Sequence, residues 1–323
     1  MIQRPRRLRA NAAIRNLVSE TQVRKEQLIL PLFVREGLAE PKPIKGMPGV
    51  VQHTDASLRA EIDRALAAGI GGVMVFGVPN HRDEDGTEAV NPNGVLSNAV
   101  RAIREQVGDR LVVIADLCLD EFTSHGHCGV LDARGEVDND RTLGIYGRMA
   151  VVLAEAGAHM LGASGMMDGQ VGATRTALDA AGHTDVSILA YAAKYASAFY
   201  GPFRDAVESQ LDGDRKTYQQ DPRNIRESIR EIKLDVAEGA DIVMVKPALG
   251  YLDVVREASQ IVDVPVASYI VSGETAMIEA AAAQDLIDRE RAILEALASV
   301  HRAGANIICT YWAIEAAELL AQN

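Results

Sequence analysis

The sequence predicts an α/β protein, a (β/α)8 barrel preceded by an extended N-terminal arm. Two observations lead to this prediction. Eight short runs rich in β-branched residues alternate with longer amphipathic stretches, and several of those stretches end in an Ala/Glu-Gly junction before the next run. Such alternation is typical of repeated β-α units, and eight units fit a barrel of about 250 residues. We therefore divide the 323 residues into an arm at 1–27 and a barrel domain at 28–323.

The strands are predicted where the apolar runs are short and bounded by polar residues or glycine. In chain order they are 28–34, 72–78, 111–119, 159–164, 187–195, 241–247, 265–272 and 306–312. Amphipathic spacing predicts helices between them, at 57–68, 96–107, 140–156, 171–181, 222–238, 253–261, 276–283 with 288–303, and 314–321. Glycine ends many helices because it readily adopts the left-handed conformation, and Gly69, Gly157, Gly239 and Gly304 stand at such positions.

Composition excludes several classes of protein. A net charge of -12 and an aromatic content of 4% argue against a nucleic-acid partner. No apolar run reaches the roughly 18 residues of a membrane span, and the N-terminus lacks the apolar core of a signal peptide. Three cysteines cannot form a disulfide framework, which indicates a reducing compartment. We therefore predict a cytoplasmic protein with neither a membrane nor a nucleic-acid partner.

The N-terminal arm is basic, with five arginines before its first acidic residue, Glu20. An organellar transit peptide would be Arg-rich in this way but also Ser-rich, which this segment is not. We interpret the arm as a segment that docks on the rest of the chain or on an acidic neighbouring subunit.

Two lysines end otherwise apolar strands, Lys194 and Lys246. A single such lysine is usually a snorkelling or ion-paired residue. Two on adjacent strands, about 4.8 Å apart, would share one cavity mouth, where repulsion and desolvation favour the neutral amine. A neutral amine attacks ketones, so the pair predicts Schiff-base chemistry. It fits either two carbonyl substrates or one imine with an electrostatic helper.

A second group of candidate residues follows the third strand, where Cys118 and Asp120 share one face and Cys128 can return on the loop. Two thiolates favour zinc over magnesium, and a Cys2Asp set leaves a fourth position for water or substrate. His125 or His127 could replace Asp120 as a ligand. The alternative interpretation is a pair of buried structural thiols.

The long loop at 195–221 has the length of an active-site lid. It carries Arg204 and Arg215, and two arginines above a lysine pair would hold a carboxylate. The alternative is a solvated basic loop. Ser272 and Tyr311, at the ends of the seventh and eighth strands, are candidates for binding another carboxylate.

These motifs together resemble those of the porphobilinogen synthase (5-aminolevulinate dehydratase) family, from the N-terminal arm to Tyr311. The matching segments are Asp-x-Cys with Thr-Ser-His-Gly-His-Cys-Gly (116–129), Met-Met-Asp-Gly-Gln-Val (166–171), Phe-Tyr-Gly-Pro-Phe-Arg (199–204), Gly-Asp-Arg-Lys-Thr-Tyr-Gln (213–219), Met-Val-Lys-Pro-Ala (244–248) and Val-Ser-Gly-Glu (271–274). The resemblance implies condensation of two 5-aminolevulinate molecules to porphobilinogen with loss of two waters, early in tetrapyrrole synthesis.

The resemblance also implies a role for each candidate residue. Lys246 would form the Schiff base with the substrate that becomes the propionate side, and Lys194 with the acetate-side substrate. The acetate-side carboxylate would be held by Arg204, Arg215 and Gln219, and the other carboxylate by Ser272 and Tyr311. Asp116 and Ser164 would be polar groups near the reacting amine. The family further implies a homo-octamer assembled through the N-terminal arm.

The metal ligands depart from both patterns known in the family. Zinc-type members carry three cysteines here, whereas the metal-independent or magnesium-responsive type has aspartates and an alanine. This chain has Asp120 between Cys118 and Cys128. We predict a weakened catalytic Zn²⁺ site, with no catalytic metal or another divalent ion as alternatives. Glu231 matches the residue that binds an activating, allosteric Mg²⁺ in many bacterial members; the alternative is an exposed helix carboxylate.

Two other classes of protein explain part of the pattern. A class I aldolase barrel would also use a strand-end lysine, but it would not need the thiol cluster. A noncatalytic metal-binding scaffold would account for the cysteines and leave the lysine pair unexplained.

Overall fold

Eight parallel strands close into a barrel in the computed structural model of the chain, which describes residues 3–322. Residues 1 and 2 of the predicted arm and residue 323 of the predicted barrel domain lie outside the described residues. The strands are β1 (Leu28–Arg35), β2 (Lys42–Pro43), β3 (Val51–His53), β4 (Gly72–Val78), β5 (Val112–Leu117), β6 (Met160–Ala163), β7 (Ser187–Lys194), β8 (Ile242–Lys246), β9 (Val266–Ile270) and β10 (Ile307–Thr310). The barrel order is β1-β4-β5-β6-β7-β8-β9-β10, and β10 pairs with β1 to close it.

Helices connect these strands and cover the outside of the barrel. They are α1 (Ala12–Leu17), α2 (Asp55–Ala68), α3 (Val95–Val107), α4 (Asn139–Glu155), α5 (Gln170–Ala180), α6 (Gly201–Ala206), α7 (Arg226–Glu238), α8 (Leu252–Ile261), α9 (Ser272–Ala282), α10 (Arg289–Ala303) and α11 (Ala313–Gln322). None of the helices described for residues 3–322 combines the length and apolar character needed to cross a membrane.

The predicted (β/α)8 barrel is confirmed, and all eight predicted strands are present within two residues at each end. The four helix-ending glycines have positive φ, from 73° at Gly69 to 126° at Gly304. The sequence analysis missed the short β2–β3 hairpin and helices α1 and α6, because segments of two to six residues carry too little periodicity to be recognised. The division between arm and barrel at residue 28 stays a prediction.

The apolar core has two layers. One lies between the sheet and the outer helices and contains most of the buried Val, Leu, Ile and Ala residues. The other fills the barrel and holds larger side chains, among them Phe33, Phe76, Met74, Tyr191 and Tyr269. A filled interior forces any substrate to bind at the open carboxyl ends of the strands, where loops rather than core side chains form the walls.

Candidate active site

A cavity of about 310 Å³ lies at the carboxyl ends of strands β5 to β8. Its wall contains eight of the side chains selected from the sequence: Asp116, Asp120, Ser164, Lys194, Arg204, Arg215, Gln219 and Lys246. The strands supply the residues at the base, and the segment at 195–221, which we call the lid, supplies the arginines and Gln219. This is the end of the barrel at which enzymes of this fold place their chemistry.

The two lysines face each other across neighbouring strands. Lys194 on β7 and Lys246 on β8 are direct register partners, and both are almost fully buried, at 6% and 5% exposure. The ladder contains an irregularity between Ala190 and Ala193, where β7 advances by three residues while β8 advances by two. A bulge of this kind changes which side chains are opposite each other, and bulges are common next to active sites.

Lys246 lies among aromatic rings. Its Nζ is 4.3 Å from the ring centre of Tyr269, 5.1 Å from that of Tyr191 and 5.2 Å from that of Phe203. Burial and the positive charge of Lys194 lower the pKa of Lys246 to about 8. A substantial fraction of this amine is therefore neutral near pH 8, and the neutral amine is the nucleophile.

Lys194 has a more polar environment. Its Nζ donates to the carbonyl oxygen of Ser164 at 2.6 Å, and the Ser164 hydroxyl donates to Asp116 Oδ1 at 2.9 Å. Burial opposes the charged amine, but negative charge at the Cys128 thiol and its neighbours outweighs burial and raises the pKa of Lys194. Burial, followed by the charge of Asp120, raises the pKa of Asp116 to about 7. Lys194 is thus held as a cation beside a carboxyl group that titrates near neutrality.

The predicted metal ligands are close together. Cys118 Sγ, one carboxylate oxygen of Asp120 and Cys128 Sγ lie within 4.8 Å of one another, and all three residues are buried. Burial opposes the thiolate of Cys128, but a hydrogen bond from Cys118 and the charge of Arg215 lower its pKa to about 7. A buried, converging set of two thiols and a carboxylate fits a divalent metal, whose ligands must be deprotonated.

Neither histidine of this loop joins that set. His125 Nδ1 accepts from the backbone N–H of His127 at 3.2 Å, and its Nε2 lies 3.2 Å from the carbonyl oxygen of Glu84. His127 Nδ1 lies 3.0 Å from the hydroxyl of Tyr218. Both imidazoles are directed to other partners, so the structure gives no support to replacing Asp120 with a histidine ligand.

An ion pair joins the candidate metal site to the lid. Arg215 Nη2 donates to Asp120 Oδ2 at 2.9 Å and to the carbonyl oxygen of Gly126 at 2.8 Å, with the side chains 11% and 4% exposed. Burial opposes ionisation of Asp120, but the charges of Arg215 and Lys194 lower its pKa well below the usual range. The lid backbone also packs closely here, because a Cβ at Gly126 would lie 2.5 Å from the backbone nitrogen of Leu211.

The other lid residues are free to meet a ligand. The Arg204 side chain is exposed on the cavity wall and forms no ion pair with any residue in the range 3–322. Gln219 is buried, and its Nε2 has no hydrogen-bond partner within the described part of the chain. A buried donor without a partner is costly, so Gln219 is arranged to donate to something that enters the cavity.

The lid is fixed at its centre by Glu208, which has a positive φ of 52°. Its carboxylate pairs with Arg35 Nε at 3.1 Å and Lys42 Nζ at 2.8 Å, and accepts from Gln52 Nε2 at 3.3 Å. Arg82 donates to its carbonyl oxygen at 2.6 Å. These contacts tie the lid to β1 and to the β2–β3 hairpin.

Ser272 and Tyr311 lie close to the aromatic rings around Lys246. The Ser272 hydroxyl accepts from the backbone N–H of Phe203 at 3.0 Å, and the Tyr311 hydroxyl lies 3.0 Å from that of Tyr269. Both residues therefore contact aromatic neighbours of Lys246, and neither lines the cavity itself.

Glu231 lines a second cavity of about 380 Å³, together with Glu136, Asp168 and Glu227, and this cavity shares Lys216 and Gln219 with the first. Burial and the charge of Asp168 raise its pKa. It is thus a partly buried helix carboxylate among other acids, and its role as a metal ligand stays a prediction.

Sequence reasoning missed two sets of residues that the structure places at this site. The aromatic rings around Lys246 come from β7, β9 and α6, and their only sequence signal was adjacency to the lysine and arginine motifs. Glu121, next to Asp120, is buried in the same cluster as the predicted metal ligands. The available signal was a pair of acidic residues between two apolar ones, Leu119 and Phe122.

The fold and the site together define a (β/α)8-barrel protein with two buried amines in one cavity, an arrangement suited to Schiff-base chemistry. Residues 2–319 match the family model described as delta-aminolevulinic acid dehydratase, and the chain belongs to this family. Its activity is that of a porphobilinogen synthase, a hydro-lyase of porphyrin biosynthesis, and the aldolase and metal-scaffold alternatives are not favoured.

Relatives of the same description cover nearly the whole chain. A delta-aminolevulinic acid dehydratase of Mycobacterium tuberculosis is 60% identical over 98% of this chain and 96% of the relative. One from Streptomyces coelicolor is 59% identical over 98% and 97%. A crystal structure of the Toxoplasma gondii enzyme in complex with the reaction product porphobilinogen is 44% identical, with a TM-score of 0.96 over 98% of this chain and 91% of that chain.

Proposed function

We propose that this cavity condenses two 5-aminolevulinate molecules to porphobilinogen, with Lys246 and Lys194 each forming a Schiff base to one substrate ketone. The observation that carries the proposal is the register pairing of two buried lysines in one cavity. Each imine forms when a neutral lysine amine attacks a substrate ketone and one water leaves. One lysine is released when the substrate amine takes its place on the imine carbon, and the other leaves in the final elimination. The overall reaction joins two substrates and releases two waters.

The electrostatic difference between the lysines supports an order of events. Lys246, with its pKa lowered to about 8, is the better nucleophile, and we assign it the substrate that becomes the propionate side. Lys194, with a raised pKa, remains a cation until the acetate-side substrate arrives. As a cation, Lys194 lowers the pKa of Lys246. It also lies next to the Ser164–Asp116 hydrogen bond.

Proton transfer is assigned to Asp116 and Ser164. The pKa of Asp116, raised to about 7 by burial and by the charge of Asp120, lets this carboxyl group both accept and return a proton near neutral pH. Its partner Ser164 also binds Lys194 through the backbone carbonyl, so both groups lie within reach of the reacting amines.

The lid residues are assigned to the substrate carboxylates. Among residues 3–322, Gln219 Nε2 has no hydrogen-bond partner and Arg204 forms no ion pair, and Arg215, which pairs with Asp120, contributes positive charge. We assign these three to the acetate-side carboxylate. Ser272 and Tyr311 are assigned to the other carboxylate, because they contact Phe203 and Tyr269, two of the aromatic residues around Lys246.

Cys118, Asp120 and Cys128 would hold a catalytic Zn²⁺, which as a Lewis acid polarises a carbonyl or activates a departing water. Arg215 neutralises part of the charge of Asp120, which weakens it as a ligand and supports a looser site than three thiolates would give. Glu231, among its acidic neighbours, would hold an allosteric Mg²⁺.

We further propose that the chain works in the cytoplasm as a homo-octamer joined through the N-terminal arm. In the single chain, Leu17 is 85% exposed and Leu8 56% exposed. Apolar side chains this accessible on a short arm favour burial against a second copy.

A direct test of the activity is a pyrrole-colour assay with 5-aminolevulinate, run with and without a chelator. Borohydride trapping with one equivalent of substrate, followed by peptide mapping, identifies the lysine that forms the first imine. Product formation with the adduct on Lys246 is expected. An adduct on Lys194 alone would overturn the assignment of roles.

A further inference from the structure

Beyond Ala190, strand β7 loses its regular neighbours on both sides. On one side, β6 ends at Ala163, which pairs with Ala190. On the other side, the bulge leaves Tyr191 and Ala192 without register partners on β8 within the described chain, and pairing resumes at Ala193. This part of β7 is buried, and buried carbonyl oxygens need hydrogen-bond donors.

Gln220 in the lid supplies two of those donors. Its side chain donates from Nε2 to the carbonyl oxygen of Ala192 at 3.3 Å, and its backbone N–H donates to the carbonyl oxygen of Lys194 at 3.0 Å. Its own carbonyl oxygen accepts from the backbone N–H of Ala196 at 2.9 Å. Gln220 is 3% exposed and thus contacts every second residue from the bulge to just past the end of the strand.

A chain of hydrogen bonds fixes the orientation of the Gln220 amide. The buried Ser228 on α7 donates its hydroxyl proton to Gln220 Oε1 at 2.6 Å. The Ser228 hydroxyl is also hydrogen-bonded to that of Tyr195, whose ring stacks on Tyr251 with 4.2 Å between the ring centres. Because Oε1 faces the serine, the NH2 group faces Ala192; the reverse orientation would place two oxygens against each other. The lid, α7 and β7 are therefore joined at the bulge.

We propose that Gln220 is a positioning residue, which stabilises the bulge of β7 and so keeps the Lys194 side chain level with Lys246. The inference rests on the roles proposed above for the two lysines. Loss of the amide would leave the Ala192 carbonyl oxygen buried without this donor, which destabilises the bulged register. In the regular register Lys246 would pair with Ala193, and Lys194 would lie one position farther along the strand.

The position of Lys194 affects the charge of Lys246. Burial lowers the pKa of Lys246, and repulsion by Lys194 lowers it further, so a displaced Lys194 should raise that pKa. Of the groups around the Lys246 amine, Lys194 is the one whose backbone Gln220 holds. The titratable groups that surround this amine are Lys194, Asp116, Asp120, Cys309, Tyr191, Tyr200 and Tyr269.

The test measures the titration of Lys246 without substrate, in the full-length chain. Reductive methylation by formaldehyde and a mild hydride donor modifies the neutral amine, and peptide mapping across pH 6 to 10 gives the midpoint. Gln220→Met removes the amide and approximates the length of the side chain. Ser228→Ala is a milder variant, which keeps the amide and removes the group that orients it.

Gln106→Met on α3 is the matched control. The Gln106 amide also makes two hydrogen bonds, to the carbonyl oxygen of Arg59 at 2.9 Å and to Asp63 Oδ1 at 2.7 Å. These residues are not part of the wall of the active-site cavity, so the control makes the same chemical change away from the lysines.

We expect Gln220→Met to move the Lys246 midpoint from about 8 to higher pH and to lower kcat for porphobilinogen formation roughly tenfold. Ser228→Ala should move the midpoint in the same direction by less. In the Lys194→Met background, Gln220→Met should cause no further shift, because the charge through which Gln220 acts is gone. Gln106→Met should titrate as the wild type does.

Three results would overturn the proposal. The first is an unchanged midpoint in folded Gln220→Met, and the second is an equal shift in Gln106→Met. The third is a further rise caused by Gln220→Met in the Lys194→Met background. Circular dichroism establishes folding. If Gln220→Met does not fold, Ser228→Ala decides, since a raised midpoint supports the proposal and an unchanged one overturns it.

Failure of the proposed function would give a different result. If 5-aminolevulinate leaves no trapped adduct on either lysine while the midpoint shifts hold, the proposed function fails and the positioning role stands. If the adduct forms on Lys246 and Gln220→Met titrates as the wild type does, the positioning role fails and the proposed function stands.

Discussion

Lys194 on β7 is level with Lys246 on β8 because β7 contains one extra residue between Ala190 and Ala193. With a regular ladder from Ala190 onward, Lys246 would pair with Ala193, and the two amines would be offset by one position. The bulge therefore creates the pair, and with it the repulsion that, after burial, lowers the pKa of Lys246 to about 8.

Replacement of Lys246 is the first prediction. Lys246→Met should reduce porphobilinogen formation below about one thousandth of wild type and abolish the borohydride-stable adduct with one equivalent of 5-aminolevulinate, because a thioether cannot form an imine. Methionine approximates the length of the lysine stem and preserves packing against the aromatic rings. Lys194→Met is the matched control, since it should be nearly inactive and still form the first adduct. Trapping at normal yield in Lys246→Met would contradict the assignment.

The second prediction concerns pH. Below its pKa of about 8, Lys246 is mostly protonated, so the rate of first-adduct formation should rise about tenfold per pH unit and level off above pH 8. Because the positive charge of Lys194 lowers this pKa, Lys194→Met should raise it and move the midpoint to higher pH. Lys194→Arg keeps the charge and should leave the midpoint near 8. The measurement is the initial rate of borohydride-trapped adduct across pH 6 to 10, and a midpoint in Lys194→Met at or below that of wild type would exclude the coupling.

The sequence predicted the barrel and the charged strand-end residues of the site, for a physical reason. Strand-end residues such as Lys194 and Lys246 are identified by charge at the end of an apolar run, and parallel strands bring such ends to one edge. A bulge leaves no comparable signal, because Ala190, Ala192 and Ala193 are as compatible with a regular strand as with an irregular one. Exact register could therefore not be predicted.

Pairings between distant loops were also beyond the sequence. The sequence predicts that Asp120 binds a metal and that Arg215 binds a substrate carboxylate. In the structure the two side chains form an ion pair with each other, at 2.9 Å. Their separation of 95 residues and the irregular backbone of the lid give no periodicity from which such a contact could be derived. The aromatic rings around Lys246 were missed for the same reason, because three elements contribute them.

The third prediction concerns the central contact of the lid. Glu208→Gln should raise KM for 5-aminolevulinate roughly fivefold with little change in kcat, because it weakens partly exposed ion pairs to Arg35 and Lys42 worth about 1 kcal/mol together. Steady-state kinetics at low and high salt measure this. High salt should raise KM in wild type and have less effect in the variant. Glu105→Gln, at an exposed position of α3 outside the lid, is the control, and an equal rise in KM there would mean that the lid contact is not responsible.

The fourth prediction addresses assembly. Deletion of residues 1–22 should leave a folded barrel, since the deleted residues that the structure describes contribute no buried side chain to it. The particle should be smaller than that of the full chain, because the exposed Leu8 and Leu17 are removed. Light scattering coupled to size exclusion gives the mass. An unchanged mass would mean that the arm is not the element that joins subunits.

The last prediction tests Asp120, a proposed metal ligand that forms an ion pair with Arg215. Replacing its carboxylate by a thiolate in Asp120→Cys gives three soft ligands, so the Kd for Zn²⁺ should fall by roughly tenfold or more, about 1.4 kcal/mol. The variant also removes the ion pair with Arg215, which leaves a buried guanidinium with a weaker partner. The KM for 5-aminolevulinate should therefore rise even as zinc is held more tightly.

Zinc affinity is measured by atomic absorption of the zinc retained after dialysis against graded chelator, and KM is measured by kinetics at saturating Zn²⁺ and Mg²⁺. Cys118→Ser is the control and should lose zinc at the lowest chelator concentration. Equal zinc retention by wild type, Asp120→Cys and Cys118→Ser would show that these residues do not form the catalytic metal site, and full activity of the zinc-free wild type would show that the reaction does not depend on zinc.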